Sequence, residues 1–347
     1  MCSWQGLPKS NQPREAGIIQ ECQHQKSDAG APKAFDRRAI PAGVGESSWN
    51  APDGFAIRRI DWPVPMAACR GSILFLTGRG DFYEKYLETL DYWHGRGWQV
   101  TAFDWRGQGG SGRLGNDLVT GHIDDFAIWV RDLEVFWAQW KAATSGPHML
   151  IGHSMGGHLA LRALAEGKVD PDALVLSAPM LGLATNTLPN WLMQGAARLM
   201  TLLGDPRRPA WKWSDKPGQP PSSREYLLTH DPTRYEDELF WRGSRPELVM
   251  GPGSWGWVER SYASMRRLDR HGVLEAIKQP VLILGTDNDK LVSFAAIVQA
   301  AHRLRHCELL HFGREARHEI LREEDNVRGM VLAAIDDFLD RSAPLAD

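Results

Sequence analysis

Six short runs of apolar residues punctuate the chain. They are Ser72–Thr77, Gln99–Phe103, His148–Ile151, Ala173–Ser177, Pro280–Gly285 and Cys307–His311. Most are continuous rather than alternating, the pattern of strands buried on both faces. Between them the apolar residues fall at helical spacing. Phe82–Trp93, Leu159–Ala165 and Phe294–Arg303 read as helices. So does His122–Lys141, with Ile123, Phe126, Val130, Leu133 and Trp137 on one face. Val327–Leu339 closes the series, with Val331, Ile335, Phe338 and Leu339 on its apolar side. Strands alternating with helices predict an α/β fold, a mostly parallel central sheet with helices on both faces. Phe55–Ile60 and Ala67–Arg70, with Pro63 and Pro65 between them, read as an N-terminal hairpin.

The pattern breaks twice. Residues 1–48 are polar, rich in Gln, Lys, Pro and Gly, and aperiodic, so a disordered or loosely packed arm is expected there. Residues 181–268 are rich in Pro, Trp and Arg, with helical pieces at Leu192–Leu203 and Gly256–Leu268. That stretch is too long for a loop and reads as an inserted, mainly helical cap. The core is then 49–180 together with 269–347.

Composition narrows the class. The chain has 347 residues, 43% hydrophobic and 24% charged, which suits a globular protein with a sizeable core. A formal net charge of −3 gives no overall attraction to nucleic acid, so none is expected as a partner. Cys2, Cys22, Cys69 and Cys307 lack metal-ligand or redox spacing and read as free thiols of a reducing compartment. No apolar run reaches the length of a membrane span or of a signal peptide. The expectation is a cytoplasmic protein, with peripheral contact at the inner face of the membrane and the oligomeric state left open.

The chemistry centres on Gly152-His-Ser154-Met-Gly156, between the run ending at Ile151 and the helix starting near Leu159. A Gly-x-Ser-x-Gly sequence at a strand-to-helix turn lifts the serine hydroxyl off the sheet edge. It also leaves the Met155 N–H at the helix start, pointing the same way. A serine hydroxyl needs a base to take its proton, and the base needs an acid to hold its tautomer. In this fold class the order along the chain is Ser, Asp or Glu, His, each after a strand. The loop after Pro280–Gly285 offers Asp287 and Asp289; Asp289, directly before Lys-Leu-Val292, is preferred, and Asp287 reads as a turn brace. After the last strand comes His318; His306 and His311 are rivals that precede or belong to the strand. Two backbone N–H groups must meet the developing oxyanion. Met155 is one, and Arg79, between Gly78 and Gly80, is assigned as the other. The glycine-rich loop after Asp104 lacks the Lys-Ser/Thr of a phosphate-binding loop. No metal or cofactor is called for.

These motifs together resemble the α/β-hydrolase superfamily, in its monoacylglycerol lipase and bacterial lysophospholipase (serine aminopeptidase-like) branch. Thr77-Gly-Arg-Gly-Asp-Phe-Tyr-Glu-Lys-Tyr86 is similar to that branch's oxyanion loop. Asp104-Trp-Arg-Gly-Gln-Gly-Gly-Ser-Gly112 is similar to its second loop, and Gly121-His-Ile-Asp-Asp-Phe126 to the lead into its long helix. The elbow and the loops of Asp289 and His318 complete the likeness. Thr77 and Gln108 stand where the branch has His. The resemblance implies a serine esterase acting on lipid esters, most simply a lysophospholipid or a monoacylglycerol, with a cap over the acyl pocket. A peptidase or small-ester hydrolase on the same triad, or a hydrolase-fold binding protein without turnover, are the alternatives. Within the cap, Trp191, Leu192, Met193, Met200 and Leu203, with Trp211, Trp213, Trp241, Trp255 and Trp257, read equally as an acyl chamber or as packing. Arg207 and Arg208 read as solvated charges rather than a phosphate site.

Overall fold

The six apolar runs become the parallel part of one eight-stranded sheet among the described residues. The structure is a computed structural model that describes residues 35–65, 69–184, 189–212 and 224–343. The strands are β1 Gly45–Asn50, β2 Ala56–Trp62, β3 Gly71–Leu76, β4 Trp98–Phe103, β5 His148–His153, β6 Ala173–Ser177, β7 Val281–Thr286 and β8 Cys307–Phe312. Their order in the sheet is β1-β2-β4-β3-β5-β6-β7-β8. All pairs from β4 to β8 are parallel; β2 runs antiparallel to β4 and β1 antiparallel to β2. Every residue of β3, β5, β6 and β7 is buried, as continuous apolar runs require.

Parallel strands send all their following loops to one edge. The loops after β3, β5, β7 and β8 therefore open together at the carboxyl edge of the sheet. The chain steps from β3 to β4 on one side and then to β5 on the other, so β3 and β5 flank a topological switch point, where such folds place their ligands. Arg79 and Ser154 follow these two strands.

The core helices are α1 Leu87–Gly95, α2 Phe126–Ala143 and α3 Met155–Ala165. Between β6 and β7 lie α4 Asn190–Leu202, α5 Arg224–Leu228, α6 Pro232–Ser244 and α7 Trp255–Leu268. After β7 come α8 Phe294–Arg303 and α9 Asp325–Ser342. α2 starts four residues later than its apolar spacing suggests. Asp125, in extended conformation, accepts the Ala127 N–H and caps the helix there. α7 is fastened to α3: the Ser264 hydroxyl lies 2.6 Å from His158 Nε2 and 2.9 Å from Arg162 Nη1.

Two expectations change at the N-terminal end. The sheet already begins inside the stretch assigned to a loose arm, because Gly45–Asn50 form β1 and Arg37 and Arg38 both reach Asp237 of α6. Residues 1–34 lie outside the described residues. Among the described residues β2 forms its hairpin with β1, in register from Gly45 opposite Asp61 to Asn50 opposite Ala56. β1 reads Gly-Glu-Ser-Ser-Trp-Asn and is almost wholly exposed, so no apolar face announces it. Residues 66–68 lie outside the described residues.

Candidate active site

Ser154 sits on a backbone turn that ordinary residues avoid, with φ 51° and ψ −116°. The elbow holds because its glycines admit close packing. A Cβ on Gly156 would lie 2.4 Å from the Thr77 carbonyl oxygen, and one on Gly152 would lie 2.7 Å from Gly157 Cα. The Ser154 N–H donates to the Ser177 carbonyl at 2.9 Å, tying the turn to the end of β6.

The structure brings the three sequence-predicted side chains together. His318 Nε2 is 2.9 Å from Ser154 Oγ, and His318 Nδ1 is 2.7 Å from Asp289 Oδ2. Asp289 Oδ1 accepts the N–H groups of Leu291 at 2.7 Å and Val292 at 3.0 Å. All three side chains are nearly buried. Burial alone would raise the Asp289 pKa, but His318 and the two backbone N–H groups outweigh it and hold the carboxyl below its usual range. Burial alone would lower His318; the Asp289 carboxylate reverses this and raises it. The rivals lie elsewhere. Asp287 pairs with His311 at 3.3 Å, both about half exposed, and the His306 carbonyl accepts the Val281 N–H at the start of β7.

The loop of Arg79 is braced from both sides. The Gly78 N–H donates to Asp81 Oδ2 at 3.1 Å and the Gly80 N–H to Gln108 Oε1 at 2.7 Å. The Arg79 N–H, between them, has no acceptor in the protein among the described residues, nor has the Met155 N–H. Gln108 Nε2 also lies 3.7 Å from Met155 Sδ, so this side chain, read in the sequence only as a departure from a family pattern, touches both segments.

Beneath this site lies a buried ionic cluster that the sequence did not disclose. Lys85 Nζ is 2.6 Å from Asp81, 2.9 Å from Glu238 of α6 and 2.5 Å from Glu319, the residue after His318. Arg322 pairs with Glu319 and Glu238, and Arg224 with Glu238. His153 lies over this cluster with its ring 4.9 Å from that of His318; burial pushes its pKa down to about 4, so it is neutral at pH 7. Asp81, His153 and Glu319 are the one group of the described residues with metal-ligand spacing. The Lys85 ammonium already sits between the two carboxylates, which does not suit a cation there.

A cavity of about 350 Å³ opens onto Ser154 and His318. Trp211 and Trp257 line it, as the chamber reading expects, but its other apolar residues are Met180, Leu227, Leu228, Met250, Pro252, Leu291 and Val292. Trp191, Leu192, Leu199, Leu202 and Leu203 are instead exposed on and just after α4. Trp241 is buried, its indole donating to the Arg37 carbonyl. Trp213 lies outside the described residues. Arg207 faces Asp124 at 3.5 Å and is partly exposed. Among the described residues, no helix is long and apolar enough to cross a membrane.

A parallel sheet with a serine on a strained turn after its central strand, and an acid and a histidine after later strands, defines the class as an α/β-hydrolase fold. Residues 67–325 match the family described as Serine aminopeptidase, S33, and the chain belongs to that family. Among curated proteins it is similar to Lysophospholipase L2 of Escherichia coli (strain K12), 30% identical over 78% of this chain and 80% of that protein. It is also similar to Probable lysophospholipase L2 of Haemophilus influenzae, 28% identical over 79% of this chain and 85% of that one. Among solved structures, a soluble variant of monoglyceride lipase from Saccharomyces cerevisiae in complex with a substrate analog aligns with a TM-score of 0.69. It shares 21% identity and covers 90% of this chain and 100% of its own, a likeness of fold.

Proposed function

We propose that the protein is a serine carboxylic-ester hydrolase of monoacyl lipids, a lysophospholipase or monoacylglycerol lipase, working through an acyl-enzyme on Ser154. The observation that carries this is the hydrogen-bonded line Asp289–His318–Ser154 opening into an apolar cavity, in a chain whose curated relatives are named lysophospholipases. His318 Nε2 takes the Ser154 proton as Oγ attacks the ester carbonyl. Asp289 holds Nδ1–H and stabilises the imidazolium. The N–H groups of Arg79 and Met155 receive the oxyanion. Collapse of the tetrahedral adduct releases the lipid alcohol, which takes the proton from His318. Water, deprotonated by His318, then frees the fatty acid and restores Ser154. The mechanism uses no metal or cofactor.

In this reading, residues 181–268 are a cap over the core 49–180 and 269–347, and the cavity beneath it holds the acyl chain. The exposed apolar face of α4 supports peripheral contact with the lipid surface that supplies the substrate. The test is labelling by a fluorophosphonate, followed by a panel of acyl esters and amino-acid anilides. Labelling lost in Ser154→Ala and turnover of long-chain monoacyl lipids are expected. Turnover of the anilides alone would replace the esterase by a peptidase. Undiminished turnover by a folded Ser154→Ala protein would sink the mechanism.

A further inference from the structure

The carboxylates near the cavity are already spoken for. Asp81, Glu238 and Glu319 are met by Lys85, Arg322 and Arg224. Arg79 is different. It lines the same cavity as Ser154, and its guanidinium has no carboxylate within ion-pair reach among the described residues. It makes one hydrogen bond, from Nη2 to the Gly251 carbonyl at 2.9 Å. Its Nε–H is buried without a partner, as is the indole N–H of Trp257, which also lines the cavity. The guanidinium carbon lies 5.0 Å from the Trp257 ring and 5.1 Å from the Trp211 ring. The two indoles hold the charge in place without neutralising it. Burial, and then the nearby Arg224, push the Arg79 pKa down to about 9, the sign of a cation lacking an anion; it still remains charged at pH 7. Buried charges and donors are normally paired, so an unpaired guanidinium on a substrate cavity marks the place of an anion the substrate brings.

We infer that the Arg79 guanidinium is the subsite for the phosphate of a glycerophospholipid head group. The inference rests on the ester-hydrolase reading and deepens it. One residue then grips the substrate twice. Its backbone N–H meets the ester oxygen, and its side chain reaches the phosphate across the glycerol bridge. The span from scissile carbonyl to phosphorus is comparable to an extended arginine side chain. A guanidinium matches a phosphate with paired N–H donors, whereas a monoacylglycerol offers only hydroxyls and leaves the charge unmet. Arg79 therefore favours monoacyl glycerophospholipids over neutral monoacylglycerols.

The test compares kcat/KM for 1-acyl lysophosphatidylglycerol and for the monoacylglycerol of the same chain. The proteins are the wild type, Arg79→Gln, Arg79→Lys and, as a distant control, Arg207→Gln. The wild type should prefer the phospholipid. Arg79→Gln should lower the ratio by about 10- to 100-fold, the range of a hydrogen bond to a charged group, and Arg79→Lys by less. Arg207→Gln should leave it in place. A second readout needs no turnover. In a Ser154→Ala background, a non-hydrolysable ether lysophosphatidylglycerol should perturb tryptophan fluorescence through Trp211 and Trp257, and Arg79→Gln should weaken its binding at least tenfold. A wild type that prefers the neutral lipid, a ratio unchanged in folded Arg79→Gln, or an equal change in Arg207→Gln overturns this inference and leaves the esterase standing. A wild type that turns over neither lipid overturns both.

Discussion

At Asp289 the two carboxylate oxygens have separate tasks. Oδ1 is fixed by the Leu291 and Val292 N–H groups, which leaves Oδ2 aimed at His318 Nδ1. An asparagine cannot serve both, because its amide presents one acceptor and one donor. Asp289→Asn should therefore lower kcat by about 10⁴-fold, while Asp287→Asn, whose partner is the half-exposed His311, should cost less than about tenfold. Steady-state kinetics on a long-chain ester decides it, and the reverse ranking would move the acid to Asp287. The pH profile follows from the same contact. In the proposed mechanism His318 serves as base only when neutral, and Asp289 raises its pKa above the ordinary 6.5. Activity should thus rise with pH through a midpoint above 6.5, and a midpoint below it would contradict the pairing. Gln108 acts one step further out. It accepts the Gly80 N–H, so Gln108→Leu should let the Arg79 N–H wander and lower kcat by about tenfold with little change in KM. A loss confined to KM would instead make Gln108 a binding residue.

At the scale of elements, the cluster around Lys85 joins three segments far apart in sequence. Asp81 belongs to the loop after β3, Glu238 to α6, and Glu319 follows His318; Lys85 and Glu319 are 234 positions apart. Removing the cation would leave three buried carboxylates facing one another. Lys85→Met should cost about 3–5 kcal/mol of stability, read by chemical denaturation. Equal stability would mean that Arg322 and Arg224 carry the cluster without it. Lys85 also holds Glu238 down to about 2, and Asp81 and Glu319 below their usual range, against burial that would raise them. Carboxylates depressed in the folded state contribute stability that is present above their unfolded pKa values near 4 and lost as pH falls toward 2. Acid unfolding of the wild type should therefore fall in that window. None of this cluster is visible in the sequence, because ion pairing carries no periodicity and its partners are remote. β1 was equally hidden, being polar and at an edge. The strands around Ser154 were legible because burial on both faces forces an uninterrupted apolar run. The order Ser154, Asp289, His318 was legible because each follows such a strand. The cavity lining was not, since Met180, Leu227 and Met250 stand in stretches without regular spacing and only the folded chain gathers them.

At the scale of the whole molecule, the proposed contact with a lipid surface would have to come from local apolar area, because a net charge of −3 gives no bulk attraction to one. α4 and the residues after it offer that area. Trp191, Leu192, Leu199, Leu202 and Leu203 lie at helical spacing on one side and are exposed, Leu202 at 75% and Leu203 at 71%. The opposite side is used for packing: Ala197 is buried and α4 lies against α7. Trp211, 45% exposed, follows α4 in the chain and also lines the cavity. Exposed apolar residues gathered on one side of a helix of a globular protein are the kind of surface that marks an interaction site. Burying each leucine in the acyl boundary contributes roughly 1.5–3 kcal/mol, and a glutamate in its place is repelled by anionic lipid as well. The double variant Leu202→Glu, Leu203→Glu should thus lower partitioning onto phosphatidylglycerol-containing vesicles by at least about tenfold in a flotation assay. Hydrolysis of a short, monomeric ester should stay near the wild-type rate, because neither leucine lines the cavity. Long-chain substrate presented in vesicles should be cleaved more slowly, through a weaker dependence on vesicle concentration rather than a lower rate at saturation. Wild-type partitioning in the double variant would remove α4 as the proposed membrane contact, and a matching loss on the short ester would show that the substitutions had disturbed the packing of α4 itself.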